Sequence, residues 1–76
     1  MIYKVWKRFD IRDISMNELH QLAVAGADVK YSQYFDVDVV FAIEAETVDH
    51  ALRIARSYDE RFDTVQPITI VRSARG

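Results

Sequence analysis

Between Val37 and Ala45 the chain alternates with a period of two: Val37, Val39, Phe41, Ile43 and Ala45 are interleaved with Asp38, Val40, Ala42, Glu44 and Glu46. Successive side chains of a strand point to opposite faces, so this pattern describes a strand with one buried and one wetter face. The alternation runs directly into Thr47, whose hydroxyl can accept from the free amides of a helix start, with Asp49 where the helix dipole favours negative charge. Val48, Ala51, Leu52, Ala55 and Phe62 then recur at helical spacing, with Arg53, Arg56 and Glu60 on the other side, which predicts a helix over about 48–61. A half-apolar strand followed by a half-apolar helix must pack face to face, because neither stripe is stable in water.

The N-terminal part repeats this logic in a different order. Residues 2 to 9 mix β-branched and aromatic residues with basic ones, which reads as a strand. Tyr3, Val5 and Phe9 share one side with Lys7, and Trp6 shares the other with Lys4 and Arg8. Ser15 and Glu18 form the pattern of a capping box, in which each side chain satisfies the other's free backbone N–H, and Ile14 and Leu19 are placed as a hydrophobic staple. Met16, Leu19, Leu22 and Ala23 make the apolar stripe of a helix over about 16–25, which Gly26 ends.

The stretch from 28 to 46 reads as extended, with Val29-Lys30-Tyr31-Ser32 a more polar strand joined to the next by a tight turn near Gln33 to Asp36. That turn lacks Gly and Asn-Gly, so one long bent strand is the competing arrangement. Residues Val65 to Val71 read as a last strand, placed at a sheet edge by Pro67, which has no N–H to donate. The expected order is β-α-β-β-α-β, an α+β fold of the ferredoxin-like kind: a small antiparallel sheet with two helices on one face. Strand 37–45 would be central and the polar strand and the Pro67 strand would be edges. Without the hairpin, the alternative is a three-stranded sheet carrying two helices.

Seventy-six residues leave room for one domain spanning the chain. Such a domain buries only about 60% of the surface its unfolded chain exposes, so modest stability or help from a partner is expected. With no Cys, neither a disulfide nor a thiolate zinc site can contribute, which fits a reducing compartment; a cytoplasmic location is expected. The formal net charge of -2 argues against a general nucleic-acid binder, which needs clustered positive charge. No apolar run approaches the ~20 residues that cross a bilayer, and the charges within Met1 to Arg8 do not suit a signal peptide, so no membrane partner is expected.

The reactive residue types do not form a recognisable constellation. His20 and His50 fall on separate helices without a second ligand at metal-binding spacing, so both read as helix-surface residues. Asp36, Asp38, Glu44 and Glu46 could bind a cation or share a proton; more simply, they solvate one face of a half-buried strand. Ser15, Ser32 and Ser57 have no nucleophile-elbow glycines beside them, and Gly26 and Gly76 are too few for a phosphate loop. No enzyme activity, cofactor or metal is therefore expected.

Two clusters suit recognition instead. Lys4, Trp6 and Arg8 project to one side, an aromatic flanked by two cations such as single-stranded nucleic-acid binders use to stack bases. Asp38 and Glu44 on the same face would repel phosphate, while Val40, Ala42 and Val71 would make it a protein-interaction patch; plain packing of Trp6 is the simplest use. Tyr31, Tyr34 and Phe35 lie beside the polar edge strand, where a partner or a second copy could add a strand, although Phe35 and one tyrosine are expected to cap the core.

The run Phe41-Ala42-Ile43-Glu44-Ala45-Glu46-Thr47, followed by Ala51-Leu52-Arg53-Ile54-Ala55, resembles a strand–cap–helix phrase of many short α+β proteins, phage-encoded ones among them. That resemblance implies an accessory role through attachment to a host protein. The expected function is a small non-catalytic protein-binding module acting through an open sheet face or an edge strand, with self-association as one form of it. The alternatives are a single-stranded nucleic-acid-binding domain using Trp6 with Lys4 and Arg8, and a small ligand-binding or isomerase-like dimer.

Overall fold

A computed structural model describes residues 1–68 of the chain. Strand β1 (Ile2–Asp10) is followed by helix α1 (Met16–Val24), strands β2 (Asp28–Tyr31) and β3 (Asp36–Glu44), helix α2 (Val48–Tyr58) and strand β4 (Thr64–Pro67). The fold is α+β: an open four-stranded antiparallel sheet in the order β2-β3-β1-β4, with two helices. The hairpin is present, so the sheet has four strands, not three. The most apolar strand, β3, pairs along its length with β1, while the polar β2 and the Pro67-bearing β4 are the edges.

The alternation in β3 determines which face the helices cover. Val37, Val39, Phe41 and Ile43 are buried, opposite Phe9, Lys7, Val5 and Tyr3 of β1. Leu19 and Leu22 of α1, and Ala51 and Ala55 of α2, complete one core with Ile14, Ala27, Ala45 and Phe62. The small Ala51 and Ala55, both at 0% exposure, let α2 approach the sheet closely. Phe62 fills the end of this core, edge-on to Phe41 at 5.4 Å, and Tyr58 stacks on the same ring at 5.0 Å.

Both helix starts follow the sequence. The Ser15 hydroxyl accepts from the Glu18 N–H at 3.0 Å, and the Ser15 N–H donates to the Glu18 carboxylate at 2.9 Å. The Thr47 hydroxyl accepts from the His50 N–H at 3.1 Å. Both helices stop earlier than the apolar spacing suggests, at Val24 and Tyr58. After Tyr58 the chain turns extended at Asp59, so Phe62 reaches the core from a loop. Met16, Ala23 and Val48, expected in the apolar stripes, are exposed, and Leu52 is only half buried, because the narrow sheet covers less than a full helix flank. Ile54, like Leu52, packs partly buried against the core.

The end of the chain shows how proline fits a ladder. Ile68 N–H donates to the Ile2 carbonyl at 2.9 Å, so even-numbered residues of β4 bond to β1 and odd-numbered ones face away. Pro67 sits at an outward position, where its missing N–H breaks no bond to β1. The expected continuation of this strand to Val71 lies outside the described residues.

Candidate functional site

Strand β1 brings Lys4, Trp6 and Arg8 to the sheet face that carries no helix, where Trp6 lies opposite Val40 and Thr64. Trp6 and Val40 are half buried, and Ala42 is exposed; Val71 lies outside the described residues. Arg8 and Lys4 both have neighbours on this face. Arg8 donates two hydrogen bonds to Asp38, at 2.7 and 3.1 Å, and these hold the Asp38 carboxyl below its usual range. Lys4 lies over the Trp6 ring, 5.5 Å from its centroid. Elsewhere on the face Lys30 pairs with Asp28 at 3.6 Å. The indole Nε1 of Trp6 is buried and meets no acceptor among the described residues.

The second cluster sits at the turn between β2 and β3. Gln33, Tyr34 and Phe35 form a three-residue loop closed by the Ser32 N–H donating to the Asp36 carbonyl at 2.9 Å, and Phe35 is left-handed, with φ of 66°. This is the arrangement of a bulged hairpin turn, whose last loop position ordinarily holds glycine. A bulky residue there costs about 1–2 kcal/mol. The loop does not recover that cost by burying the ring: Phe35 is 75% exposed and Tyr34 73%. The expectation that Phe35 and a tyrosine cap the core is therefore wrong, because Ile14 and Phe9 already fill that end of the core. Tyr31 is also exposed, at the outer edge of β2.

Together with the end of β1, the loop makes an open cleft of about 390 Å³ lined by Asp10, Ile11, Arg12, Tyr34 and Phe35. Ile11 N–H donates to the Phe35 carbonyl at 2.9 Å and joins the two walls. Beneath them, Asp10 accepts from the Arg12 N–H at 2.9 Å and from the Arg12 guanidinium at 3.0 and 2.7 Å. These bonds lower the Asp10 carboxyl to about 2. They also offset the juxtaposition of Asp10 with Asp36, which face each other across β1 and β3.

The Tyr34–Phe35 wall was singled out from the sequence; the Asp10–Arg12 wall was not, although one signal was there. Asp-x-Arg occurs at Asp10-Ile11-Arg12 and again at Asp59-Glu60-Arg61, and both copies fold alike. In each, the aspartate ends an element and accepts from the backbone and guanidinium of the arginine two residues on. Arg61 goes further, reaching Glu18 at 2.8 Å, the Asp13 carbonyl at 3.1 Å and the face of Phe9 at 4.7 Å. It is a structural joint; Arg12 borders an open surface.

His20 and His50 are exposed on different helices. Among the described residues no group of three or more His, Cys, Asp or Glu side chains could hold a metal ion, and no helix is long and apolar enough to cross a membrane. No protein-family model matches the chain, and no curated protein or solved structure is significantly similar to it.

Proposed function

We propose that this chain is a small protein-binding module whose contact surface is the loop between β2 and β3 and the cleft beside it. The observation that supports this most is Phe35: a large aromatic ring held in solvent by a backbone conformation that costs free energy. Strain of this kind persists where the surrounding structure enforces it, and it concentrates at recognition sites. Tyr34 and Phe35 offer large, stiff apolar area with few torsions to freeze, which is how aromatic anchors act in protein interfaces. The cleft is open and walled by five residues, so it suits one apolar side chain of a partner better than an enclosed small molecule. The engagement of Arg8 by Asp38 weighs against single-stranded nucleic acid as the ligand. The sheet order β2-β3-β1-β4, with helices between the first and second and the third and fourth strands, supports assigning the scaffold to the ferredoxin-like arrangement.

The test uses two baits of equal fold, the wild-type chain and the Phe35→Gly variant. A protein retained from native extract by the first and lost from the second is then purified and titrated by calorimetry. Binding with a negative heat-capacity change, weakened at least tenfold by Tyr34→Ala, is the expected result. Equal retention by both baits would overturn the proposal.

A further inference from the structure

We infer that two copies of this chain join edge to edge through β2, in one register, to make a continuous eight-stranded sheet. Among the described residues β2 has one neighbour, β3, so its other edge presents unpaired main-chain groups. Which groups face outward follows from the turn. Ser32 bonds to Asp36, so Lys30 and Asp28 bond inward to β3, and Val29 and Tyr31 point their N–H and C=O groups to the open edge.

The side chains choose the register. A two-fold axis at Val29 places Val29 opposite its own copy and brings Asp28 of each chain against Lys30 of the other. These oppositely charged residues then occupy the closely spaced positions of the ladder, where side chains are nearest. Shifting one copy by two residues in either direction sets Lys30 against Lys30 or Asp28 against Asp28, so both adjacent registers oppose like charges. The Asp28–Lys30 pair that lies along one strand at 3.6 Å would re-form across the axis. Val29 supplies a reciprocal pair of main-chain bonds, and each Tyr31 N–H can donate to the Ala27 carbonyl of the other copy. Ala27 N–H is already committed to the Leu22 carbonyl at 2.9 Å, which limits the ladder to this span.

Apolar surface beside the edge supports the same occupant. Tyr31 leans on α1, its hydroxyl 3.8 Å from the Met16 sulfur. The start of α1 bearing Met16, 69% exposed, thus lies on the β2 side of the molecule. The two-fold axis brings both α1 helices to the same face of the joined sheet, where Tyr31 of each copy, with Met16 beside it, lies opposite Ala27 of the other. The joined loops, with Tyr34 and Phe35, point away from one another at opposite ends of the interface. The dimer is therefore separate from the surface assigned above and does not depend on it.

Sedimentation velocity and light scattering at low ionic strength, over a dilution series, test the inference, with circular dichroism as the control for folding. The short strand gives a small interface, so the wild type should be a dimer that dissociates on dilution. D28K and K30D, each creating a strand of one sign, should each weaken association about tenfold. An equimolar mixture of the two variants should recover it, since an all-cationic strand then faces an all-anionic one, and the D28K/K30D double swap should recover it alone. Val29→Pro, which removes an outward donor, should leave a folded monomer; if that variant fails to fold, the charge pair still decides. A wild type that stays monomeric throughout, or single-charge variants that associate as tightly as wild type, would overturn the inference. Loss of partner binding in Phe35→Gly with the dimer intact bears only on the loop surface.

Discussion

Ile11 donates its N–H to the carbonyl of Phe35 at 2.9 Å, and that single bond fixes the loop after β2 to the end of β1. It also carries the strain at Phe35, because the left-handed turn of that residue is what aims its carbonyl at Ile11. Phe35→Gly removes the ring and the strain together while keeping the bond. Relief of about 1–2 kcal/mol is set against about 0.5–1 kcal/mol of added chain entropy, so the urea midpoint should hold or rise slightly. Phe35→Ala keeps the Cβ and should gain nothing. A clear fall in the midpoint of the glycine variant would show that the exposed ring stabilises the fold.

Acid should weaken the fold through its depressed carboxylates. Asp10 sits at about 2, and Glu18, Asp38, Asp59 and Asp63 are lowered by the hydrogen bonds they accept. A carboxylate with a lower pKa folded than unfolded stabilises the fold above its unfolded value, near 4, and that contribution is lost as pH falls through the folded value. For Asp10 the window runs from about 4 down to about 2. Denaturant midpoints should be flat from pH 7 to 5 and fall below 4, less steeply in Asp10→Asn. Carboxyl resonances followed by NMR should place the Asp10 midpoint near 2; titration in the ordinary range would show the Arg12 clamp open in solution.

Two core substitutions should separate by depth. Phe62 is 0% exposed and touches Phe41, so Phe62→Ala should cost about 3–5 kcal/mol, a large share of a small domain's stability. Leu52 is half buried, so Leu52→Ala should cost less than about 2 kcal/mol. Equal losses in thermal or urea melts would place Leu52 deeper than this packing allows.

Ser15→Ala removes the hydroxyl that accepts from the Glu18 N–H, keeps the backbone N–H that donates to the Glu18 carboxylate, and should cost about 0.5–2 kcal/mol. Glu18 also receives Arg61, so Glu18→Gln should cost more in a background with Arg61 than in Arg61→Ala. A double-mutant cycle in which the two substitutions simply add would deny the coupling.

Trp6→Phe should be nearly neutral, within about 1 kcal/mol, because it removes an indole N–H that meets no acceptor while keeping most of the apolar contact with Val40. Oligonucleotide affinity, if measured, should be weak and unchanged in Trp6→Ala, since Arg8 is held by Asp38. A steep, Trp6-dependent loss with salt would restore the nucleic-acid reading.

The elements themselves were legible because their signals are local. Ser15 with Glu18, and Thr47 with Asp49, mark helix starts through bonds within one turn, and the alternation of β3 needs only its own residues. Pro67 pointed correctly to an edge. What the sequence does not reveal is competition for the core. Met16, Val48 and Phe35 are apolar enough to be inside, but four strands and two short helices offer room for Ile14, Phe9 and Phe62 first. Helix ends failed for a related reason: Phe62 continues the apolar spacing of α2 although the chain has already left the helix at Asp59. The sequence places Asp38 on the same face as Arg8, but its direct pairing with Arg8, thirty residues away, follows only from the strand register.

Pro67 has a bearing on stoichiometry. At the β4 side of the sheet an approaching strand meets a ring where it needs a donor, whereas at the β2 side it meets the N–H groups of Val29 and Tyr31. A sheet receptive at both sides could keep recruiting copies, head to tail, into a filament. In the proposed pair the receptive side is used once, and among the described residues each outward rim carries the Pro67 ring where a donor would be needed. The proposed assembly along this sheet is thus self-limiting: it terminates at a pair.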